Sequence, residues 1–368
     1  MINIVYIISN LRKSGPVNVL LDTCKFLNRE KYNPIIVTLK KESPDRSIKT
    51  KFEALGITVI SFEFNNYYLE LFPGKAAKTI KSRLTDYYRY IVHAHCYHAS
   101  ILLKYFQTYK TVETIHCIAK EDYLMKYGKI LGYYMVRRFC NSLEYCSCPV
   151  AISQYMMEYY KQYCDDKLTL IHNGVDFRID DAEKESRQTI CKKLNIDSSK
   201  KIILYSGYFS ARKNAPFIVR EIMKSQRRDF ICIFIGKGEL LDKCKSIAAS
   251  DERLRFDGYV FNVRDYLSVA DLYVSASKSE GLPLAVLEAL NMGIPCLLSD
   301  ILPHQEIASA IELPSVKTFA LADNCLLNEI DSFLDTEYNR EDLSERSYRL
   351  FSANTMAKKY EQLYNALI

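Results

Sequence analysis

Two glutamates eight residues apart, Glu280 and Glu288, are the side chains whose spacing points most directly to a ligand site. An apolar run ends before Glu280, a loop with Gly281 follows, and a helical pattern opens at Leu282 and carries Glu288 before the next apolar run. In a parallel sheet, ligands bind beyond the carboxyl ends of strands, where a helix amino terminus offers N–H groups to a phosphate. On a helix, residues eight apart face the same way, about two turns apart. The two carboxylates are therefore candidates to bracket one elongated ligand.

Apolar runs that would position these residues recur along the chain in two series. The first series comprises INIVYIIS, PIIVTL, ITVIS, YIVHAH, TVETIH, CPVAIS and LTLIH, and the second comprises KIILYSG, FICIFIG, LRFDG, DLYVSAS and IPCLLS. Most runs are separated by stretches long enough for a crossover helix, so the pattern predicts an α/β fold with parallel strands. A helix is predicted from about Pro16 to Asn28, and the chain beyond Val316 is predicted to be mostly helical.

The length and the gap between the two series predict two domains. A chain of 368 residues suits two domains better than one. The apolar pattern fades after Asn173 into the charged stretch DFRIDDAEKESRQ, and the Asn173–Gly174 pair favours a turn. We predict an N-terminal domain over residues 1–172, a linker over 173–200, a C-terminal domain over 201–351 and a terminal helix over 352–368.

Several segments together resemble the retaining family-4 glycosyltransferases, enzymes of the GT-B fold that transfer a sugar from a nucleotide sugar. EGLPLAVLE matches the E-x7-E motif of that family. Five segments that precede it in the chain occur in the family's order and approximate spacing: GPVNVLLDTCKFL, TIHC, VAISQYM, HNGVDF and GYFSARKN. The resemblance covers most of the chain. It implies two Rossmann-like doubly wound domains that face each other across a cleft, and a C-terminal helix that crosses back to the first domain.

Sugar transfer leaves negative charge on the departing phosphate, which the protein must neutralise. Arg212 and Lys213, just after a strand-like run, can supply cations for this purpose. By resemblance, Lys213 matches the family's lysine, whereas Tyr208 occupies the position where the family usually carries arginine. Arg212 would therefore supply the missing guanidinium from a different position in the sequence, four residues after Tyr208.

The resemblance also assigns roles to two carboxylates and one histidine. Glu280 would contact hydroxyls of the donor sugar, Glu288 would contact the nucleotide ribose, and His116 would lie near the reacting sugar. Glu288 stands in an apolar helical pattern that is expected to be buried. Because a buried polar group without a partner costs several kcal/mol in an apolar setting, a ligand partner for Glu288 is physically reasonable.

Backbone groups are expected to complete the donor site. N–H groups at the predicted helix start come from Gly281, Leu282 and Leu284, while Pro283 suits the first turn of a helix. Gly15 would let the opposing loop approach a phosphate closely.

Two further loops are assigned to the nucleotide. Gly236 and Gly238 follow a strand-like run and are assigned to the nucleotide pocket. They do not complete the motif G-x-G-x-x-G, because Leu241 occupies its last position. This departure argues against a dinucleotide-binding site. By resemblance alone, the backbone around Tyr259 and Val260 is a candidate for contacts with the base.

No metal and no other cofactor is expected. His93, His95 and His98 form H-x-H-x-x-H, but no acidic residue lies close by, and family members carry a similar HAH segment. The chain offers no D-x-D pair to mark a divalent-metal nucleotide site. The twelve cysteines are scattered and match no zinc or redox spacing, so they are expected to be reduced core residues.

The positive charge is concentrated in the first half of the chain. Residues 1–172 hold 24 Lys and Arg against 15 Asp and Glu, whereas the rest holds 26 against 29. Lys75, Lys78 and Lys81 recur at helical spacing, with Leu84, Tyr87 and Tyr88 following. Two interpretations stay open: a solvated helix face, or an aromatic-edged basic face that rests on anionic lipid or receives a pyrophosphate-linked acceptor. No nucleic-acid-binding pattern accompanies the charge.

These observations predict a cytosolic enzyme that can rest on the inner face of the membrane. No apolar run approaches the roughly 20 residues that span a bilayer, and the N-terminus has no signal-peptide pattern. We expect a retaining, metal-independent hexosyltransferase that uses a UDP-sugar and a glycan or lipid-linked acceptor in bacterial-type surface polysaccharide synthesis. Two alternatives remain: a non-hydrolysing UDP-sugar epimerase, and a catalytically degenerate partner subunit, which Tyr208 supports.

Overall fold

The computed structural model describes residues 1–43, 46–179 and 185–368. The chain divides into two compact units, an N-terminal unit of Met1–Gly174 with Ala353–Ile368, and a C-terminal unit of Val175–Ser352. Of the predicted linker, residues 180–184 lie outside the described residues, and the described residues from Val175 onward belong to the C-terminal unit. Arg187 ties this segment to that unit by donating to the Asp271 carboxylate at 2.8 Å.

The N-terminal unit is built on one parallel sheet. Its strands are β1 (Ile2–Ile8), β2 (Tyr32–Thr38), β3 (Thr58–Ser61), β4 (Tyr90–His95), β5 (Thr111–Ile115), β6 (Cys148–Ala151) and β7 (Thr169–Leu170). They are ordered β3-β2-β1-β4-β5-β6-β7. Each of the seven apolar runs of the first series overlaps one of these strands. The central strands β1 and β4 are buried, apart from the first two residues of β1, because helices cover both faces, which explains why their sequences run apolar without alternation.

Helices surround this sheet on both sides. They are α1 (Gly15–Phe26), α2 (Lys49–Ala54), α3 (Asn66–Leu71), α4 (Pro73–Ser82), α5 (Tyr97–Ser100), α6 (Ala119–Leu143), α7 (Gln154–Cys164) and, from the end of the chain, α16 (Ala353–Leu367). The terminal helix α16 packs on α1 and reaches the sheet, where the Tyr364 and Tyr6 hydroxyls lie 2.9 Å apart. The chain thus returns to its first unit after completing the second.

The C-terminal unit repeats the same layered plan. Its strands are β8 (Lys201–Ser206), β9 (Phe230–Ile235), β10 (Leu254–Gly258), β11 (Leu272–Ser275), β12 (Cys296–Ser299) and β13 (Val316–Phe319), ordered β10-β9-β8-β11-β12-β13 and paired in parallel. The edge strand β13 was not predicted from the sequence. It is four residues long and includes the exposed Lys317, so it lacks the apolar run that revealed the other strands.

The helices of the C-terminal unit alternate with its strands. They are α8 (Arg187–Lys193), α9 (Ala215–Lys224), α10 (Leu241–Ala248), α11 (Val263–Val269), α12 (Leu284–Asn291), α13 (Leu302–Ile311), α14 (Cys325–Asp335) and α15 (Arg340–Phe351). All twelve cysteines of the chain are free thiols, and most of them are buried. No helix in the described part of the chain is long and apolar enough to span a bilayer.

Each sheet reverses its strand order at one point. In the N-terminal unit the reversal lies between β1 and β4, and in the C-terminal unit it lies between β8 and β11. The loops after two such strands leave in opposite directions and open a crevice at the carboxyl edge of the sheet. Any site on these units is therefore expected in the loops that follow those strands.

Candidate functional site

Three charged side chains meet at the reversal point of the C-terminal sheet. The loop after β8 carries Arg212 and Lys213, and the loop after β11 carries Glu280. Lys213 Nζ donates to Glu280 Oε1 at 2.6 Å, and Arg212 Nη1 donates to Glu280 Oε2 at 2.8 Å. Residues that lie 67 and 68 positions apart in the chain thus form one ion-paired cluster.

The cluster keeps Glu280 ionised although its side chain is only 5% exposed. Burial by itself raises the pKa of Glu280, but the charges of Lys213 and then Arg212, with hydrogen bonds from Lys213 and Ser277, outweigh burial and hold the pKa to about 2. Two cations and one carboxylate leave one positive charge in excess. Arg212 and Lys213 remain 33% and 19% exposed, so that the excess charge can reach a ligand.

Backbone contacts fix the two loops that carry the cluster. The Lys278 N–H donates to the Arg212 carbonyl oxygen at 2.8 Å, and Arg212 Nη1 donates to the Ser279 carbonyl oxygen at 2.9 Å. Asn214 ends the first loop in the left-handed region with φ of 54°, a conformation that asparagine tolerates better than most residues. The cations are therefore held on the Glu280 loop rather than left to solvent.

A chain of buried polar groups extends from Glu280 to the neighbouring strand and was missed by sequence reasoning. Ser277 Oγ donates to Glu280 Oε1 at 2.7 Å, and Ser299 Oγ donates to the Ser277 carbonyl oxygen at 2.5 Å. His304 Nδ1 lies 2.9 Å from the Ser299 carbonyl oxygen. Because a carbonyl oxygen only accepts, this nitrogen carries the proton. Polar residues at or just after the ends of the adjacent strands β11 and β12 were the sequence signal available for these hydrogen bonds.

His304 is neutral and presents one unused nitrogen. Burial lowers the pKa of His304 to about 4, more than the nearby Glu280 carboxylate raises it. Its Nε2 is buried and has no hydrogen-bond partner among the described residues. With the proton on Nδ1, Nε2 is an acceptor that an approaching hydroxyl can satisfy.

The helix after Glu280 begins later than the sequence predicts. Pro283 is extended, with φ of −76° and ψ of 107°, and α12 starts at Leu284. Gly281 and Leu282 therefore lie in the loop with Glu280, and the argument that residues eight apart on a helix face the same way does not apply to Glu280 and Glu288. The Val286 and Leu287 N–H groups donate to the Pro283 carbonyl oxygen, so the N–H groups of Leu284 and Ala285 precede the first hydrogen bonds of the helix.

Glu288 lies on α12 and is half-buried rather than enclosed. Burial, the neighbouring Tyr205 and then the Glu288 carboxylate raise the pKa of the buried Tyr273. Glu288 is thus within electrostatic reach of β11. The Tyr273 hydroxyl donates to the Ser206 carbonyl oxygen at the end of β8, so Glu288 is near the same pair of strands that carries the charged cluster.

Gly236 and Gly238 are explained by close backbone packing. A Cβ on Gly236 would lie 1.8 Å from the Gly207 carbonyl oxygen, and one on Gly238 would lie 2.5 Å from two backbone atoms of Phe209. Both glycines have positive φ, of 134° and 154°. They let the loop after β9 pack against the loop after β8, where the Phe209 N–H donates to the Lys237 carbonyl oxygen at 2.9 Å. The assignment of these glycines to the nucleotide pocket stays a prediction.

The loop after β10 carries an exposed aromatic pair beside a lysine that sequence reasoning did not single out. Tyr259 is 43% exposed, Val260 is half-buried, and Phe261 is 86% exposed. The Tyr259 and Phe261 rings meet edge to face with centroids 5.2 Å apart. The Lys237 ammonium lies 4.6 Å from the centroid of the Tyr259 ring. Tyr208 is 52% exposed, and the guanidinium that reaches Glu280 comes from Arg212.

In the N-terminal unit, His116 pairs with His95 at the carboxyl edge of the sheet. His95 ends β4, His116 follows β5, and their Nδ1 and Nε2 atoms lie 2.9 Å apart. Burial lowers the pKa of His116 to about 3, so the ring is neutral at pH 7. Gly15 is exposed at the start of α1, after β1. Gly15 and His116 therefore follow strands of one sheet, on either side of β4.

The histidines of the H-x-H-x-x-H segment already have protein partners. His93 Nδ1 lies 2.7 Å from the Tyr364 hydroxyl, and its Nε2 lies 2.8 Å from the Thr114 hydroxyl. His98 Nε2 lies 3.4 Å from Glu70 Oε1. Within the described residues, no group of three potential metal-ligating side chains comes together.

The basic helix α4 differs from the predicted aromatic-edged face. Lys75 and Lys78 are exposed, but the Lys81 ammonium lies over the Phe106 ring, 5.1 Å from its centroid. Leu84 is buried in the core instead of edging a surface, because the chain turns inward after the helix. Of the two tyrosines that follow the helix, Tyr87 is half-buried and Tyr88 is 82% exposed.

Comparison with known proteins gives consistent matches over nearly the whole chain. The model described as "Glycosyltransferase Family 4" matches residues 13–178, and the model described as "Glycosyl transferases group 1" matches residues 186–350. The O-antigen biosynthesis glycosyltransferase WclY of Escherichia coli is 24% identical over 99% of this chain and 98% of its own length. The capsular polysaccharide biosynthesis glycosyltransferase CapH of Staphylococcus aureus is 24% identical over 99% of both chains.

A solved structure gives the same fold. The structure of Anabaena Alr3699/HepE, in complex with UDP and glucose, superposes with a TM-score of 0.79 at 14% sequence identity and covers 100% of both chains. At 14% identity the structural similarity shows the fold alone, which is the GT-B fold expected from the sequence.

Proposed function

The chain belongs to the family-4 glycosyltransferases of the GT-B fold, and from this premise we propose that it transfers a hexose from a UDP-sugar to a glycan or lipid-linked acceptor. The convergence of Arg212, Lys213 and Glu280 at the strand-order reversal of the C-terminal sheet carries the proposal. The similarity to O-antigen and capsule glycosyltransferases supports a role in a surface polysaccharide. UDP as the nucleotide is suggested by the complex of the Anabaena relative.

Arg212 and Lys213 are proposed to hold the donor diphosphate. Their cluster has one positive charge in excess, and charged hydrogen bonds to phosphate oxygens are roughly twice as strong as neutral ones. First-turn N–H groups of α12, beginning at Leu284, add donors and the positive end of the helix dipole. This arrangement stabilises the diphosphate most when it gains charge on leaving, which lowers the barrier to transfer.

Glu280 is proposed to orient both the cations and the sugar. A carboxylate offers roughly four acceptor positions, and Lys213, Ser277 and Arg212 each donate to one of them. A hydroxyl of the donor sugar is proposed to take the position that is left. The sugar would then be aligned by the same carboxylate that fixes the phosphate-binding cations.

The other sites are proposed by the family resemblance. Glu288 would hold the ribose, the backbone at Tyr259 and Val260 the base, and the loops of Gly236 and Gly238 the nucleotide. On the N-terminal unit, Gly15 would approach a phosphate, and His116 would contact the reacting sugar. A neutral His116 can donate one hydrogen bond or accept one without adding charge beside the oxocarbenium-like sugar.

We propose a retaining reaction without a metal ion. The acceptor hydroxyl oxygen forms a bond to the anomeric carbon on the face from which the diphosphate departs. The anomeric C–O bond breaks with its electron pair going to the diphosphate, and the hydroxyl proton passes to the departing phosphate oxygen. Arg212 and Lys213 would supply the cationic stabilisation that a divalent ion supplies in other nucleotide-sugar enzymes.

The proposed setting is the cytoplasmic side of the cell membrane, where a lipid-linked acceptor is available. The alternative of a UDP-sugar epimerase is not favoured, because the matched relatives are named as transferases. The alternative of a degenerate subunit rests on Tyr208. Arg212 weakens this alternative, because it brings a guanidinium to the glutamate of the motif.

Saturation-transfer NMR of the purified protein with UDP-, GDP- and ADP-sugars tests the proposal. We expect magnetic saturation to pass from the protein to the protons of one UDP-sugar. We also expect slow hydrolysis of that UDP-sugar, which releases UDP and a sugar of retained anomeric configuration. Both should occur in the presence of EDTA. Glu280→Gln should abolish UDP release, whereas Lys278→Ala, an exposed lysine on the same loop, should not. Binding of no nucleotide sugar, or appearance of an epimerised UDP-sugar, would overturn it.

A further inference from the structure

The long helix α6 of the N-terminal unit is broken by a built corner. Gly128 interrupts the helix with φ of 75° and ψ of 177°. A Cβ on Gly132 would lie 2.8 Å from the Tyr123 carbonyl oxygen and 2.9 Å from the Leu124 Cα. The two arms of α6 therefore turn at Gly128 and pack backbone against backbone at Gly132. We call residues 125–134 the α6 corner.

The α6 corner exposes a continuous apolar surface. Residues 125–131 are all exposed, and Ile130, at its tip, is 92% exposed. The large apolar and aromatic side chains of the corner with more than a third of their surface exposed are Met125, Tyr127, Ile130, Leu131, Tyr133 and Tyr134. Single exposed apolar residues are ordinary on a protein, but a contiguous group of this size marks an interaction surface.

Basic residues are interleaved with this surface. From Tyr123 to Leu143 the sequence contains Lys126, Lys129, Arg137 and Arg138 and no aspartate or glutamate. Lys126, Lys129 and Arg137 are exposed. The corner thus combines apolar tips, tyrosines and ammonium groups, which are the groups that enter the interface of an anionic bilayer.

The neighbouring helix α3 extends the same surface. Arg138 pairs with the Glu70 carboxylate and donates to the Glu70 carbonyl oxygen at 3.0 Å. Glu70 is therefore neutralised, while its neighbours Tyr67 and Leu71 are 80% and 69% exposed. The surface stays positive and apolar across both helices.

We propose that the α6 corner is the surface by which this protein docks on an anionic lipid bilayer. Ile130 and Leu131 enter the headgroup region, the tyrosines lie at its boundary, and Lys126 and Lys129 contact lipid phosphates. This inference relies on the proposed function only for the reason to be at a membrane, namely a lipid-linked acceptor. The sequence left open whether the basic face of α4 rests on lipid, and this proposal places the lipid-binding surface on α6 instead.

Vesicle flotation without any sugar donor tests the docking, so that its failure and the failure of sugar transfer are distinguishable. The protein is mixed with vesicles of phosphatidylglycerol and phosphatidylcholine, or of phosphatidylcholine alone, at low and high salt. Lys129→Glu/Ile130→Ser alters the corner. Lys78→Glu/Tyr88→Ser makes the same kinds of change on and beside α4, at residues that are also exposed.

The unaltered protein should float with the anionic vesicles, more strongly at low salt, and not with phosphatidylcholine alone. The corner variant should partition roughly tenfold less, since it loses a phosphate contact and an inserted side chain, while the α4 variant should match the unaltered protein. Equal thermal midpoints would show that all three are folded. Absence of flotation, equal binding to neutral vesicles, an unaffected corner variant or equal losses in both variants would overturn the proposal.

Discussion

At the scale of single residues, Glu280 is the group on which the others depend. Its carboxylate is buried, yet Lys213 and Arg212 keep it ionised, and it in turn holds their charged groups on one side of the sheet edge. Removing one partner of such a cluster leaves buried charge without compensation, which costs more than the pair contributes. The cluster therefore acts as a unit.

The first prediction concerns acid stability. The pKa of Glu280 is about 2, below its ordinary value of 4.5, so its ionisation stabilises the folded chain above pH 4.5 and this contribution is lost as the pH falls towards 2. Glu280→Gln should therefore lower the free energy of unfolding at pH 7 by about 2 kcal/mol, after allowance for the partly exposed cations.

Urea unfolding followed by circular dichroism between pH 7 and pH 3 checks this prediction. The difference between the two proteins should shrink below pH 4.5. A difference that stays constant or grows towards pH 3 would show that Glu280 is not held ionised by its partners.

Residue types and strand ends were enough to predict that Arg212, Lys213 and Glu280 belong to one site. They follow β8 and β11, and adjacent parallel strands bring their following loops together. The series of hydrogen bonds that joins Ser277, Ser299 and His304 was not predictable in the same way. It depends on which carbonyl each hydroxyl reaches, and this is set by side-chain rotamers and not by spacing.

At the scale of elements, glycine packing between two loops shapes the edge of the C-terminal sheet. The Gly236 N–H donates to the Gly258 carbonyl oxygen at 2.6 Å, while its Cα faces the Gly207 carbonyl oxygen. No side chain fits between these backbones. The loops after β8 and β9 therefore keep their shape only with glycine at this position.

The second prediction uses this packing. Gly236→Ala should lower the free energy of unfolding by at least about 3 kcal/mol, because it combines strained backbone with a clash against main-chain atoms. Gly258→Ala is the matched control: its φ is 70°, and a Cβ there would meet nothing within 4 Å.

Gly258→Ala should lower the free energy of unfolding by about 1 kcal/mol, which is the penalty for a non-glycine residue in the left-handed backbone region. Urea unfolding of both variants compares the two losses. Equal losses would mean that the close approach at Gly236 relaxes without cost.

Most strands could be predicted because buried parallel strands are uninterrupted apolar runs. The exception is β13, whose Lys317 is exposed at the sheet edge. The start of α12 was predicted two residues early because Pro283 suits a first helical turn, whereas here it is extended and precedes the helix. The corner in α6 was not predicted, since it depends on the positive φ of Gly128 and on the close contact of Gly132 with the other arm of the helix.

At the scale of the whole molecule, the terminal helix α16 completes the N-terminal unit. Tyr364 contacts Tyr6 and His93, and the Tyr360 hydroxyl lies 2.7 Å from that of Thr114 on β5. These tyrosines are fully buried. The first unit therefore lacks part of its core until the last residues of the chain are present.

The third prediction follows from the contribution of α16 to the core of the N-terminal unit. Removing residues 353–368 should make the N-terminal unit sensitive to limited proteolysis, because the faces of α1 and the sheet that α16 covers become exposed. Fragments of the C-terminal unit should persist, since its core does not include α16.

Tyr360→Phe/Tyr364→Phe keeps the helix but removes the hydroxyls, and it should destabilise the first unit less than the truncation does. Mass spectrometry of the resistant fragments identifies the unit that is lost. Simultaneous loss of both units, or equal resistance of the truncated and complete chains, would contradict this account of α16.

The most direct test of the central claim, that the cluster on Glu280 binds the diphosphate of a nucleotide sugar, is calorimetric binding of UDP and of uridine. Lys213→Ala should weaken UDP binding by about tenfold or more, the loss of one charged hydrogen bond, and leave uridine binding unchanged. Lys278→Ala, which changes an exposed lysine on the loop that carries Glu280, should alter neither. Unchanged UDP binding by Lys213→Ala, or an equal loss for uridine, would contradict the claim.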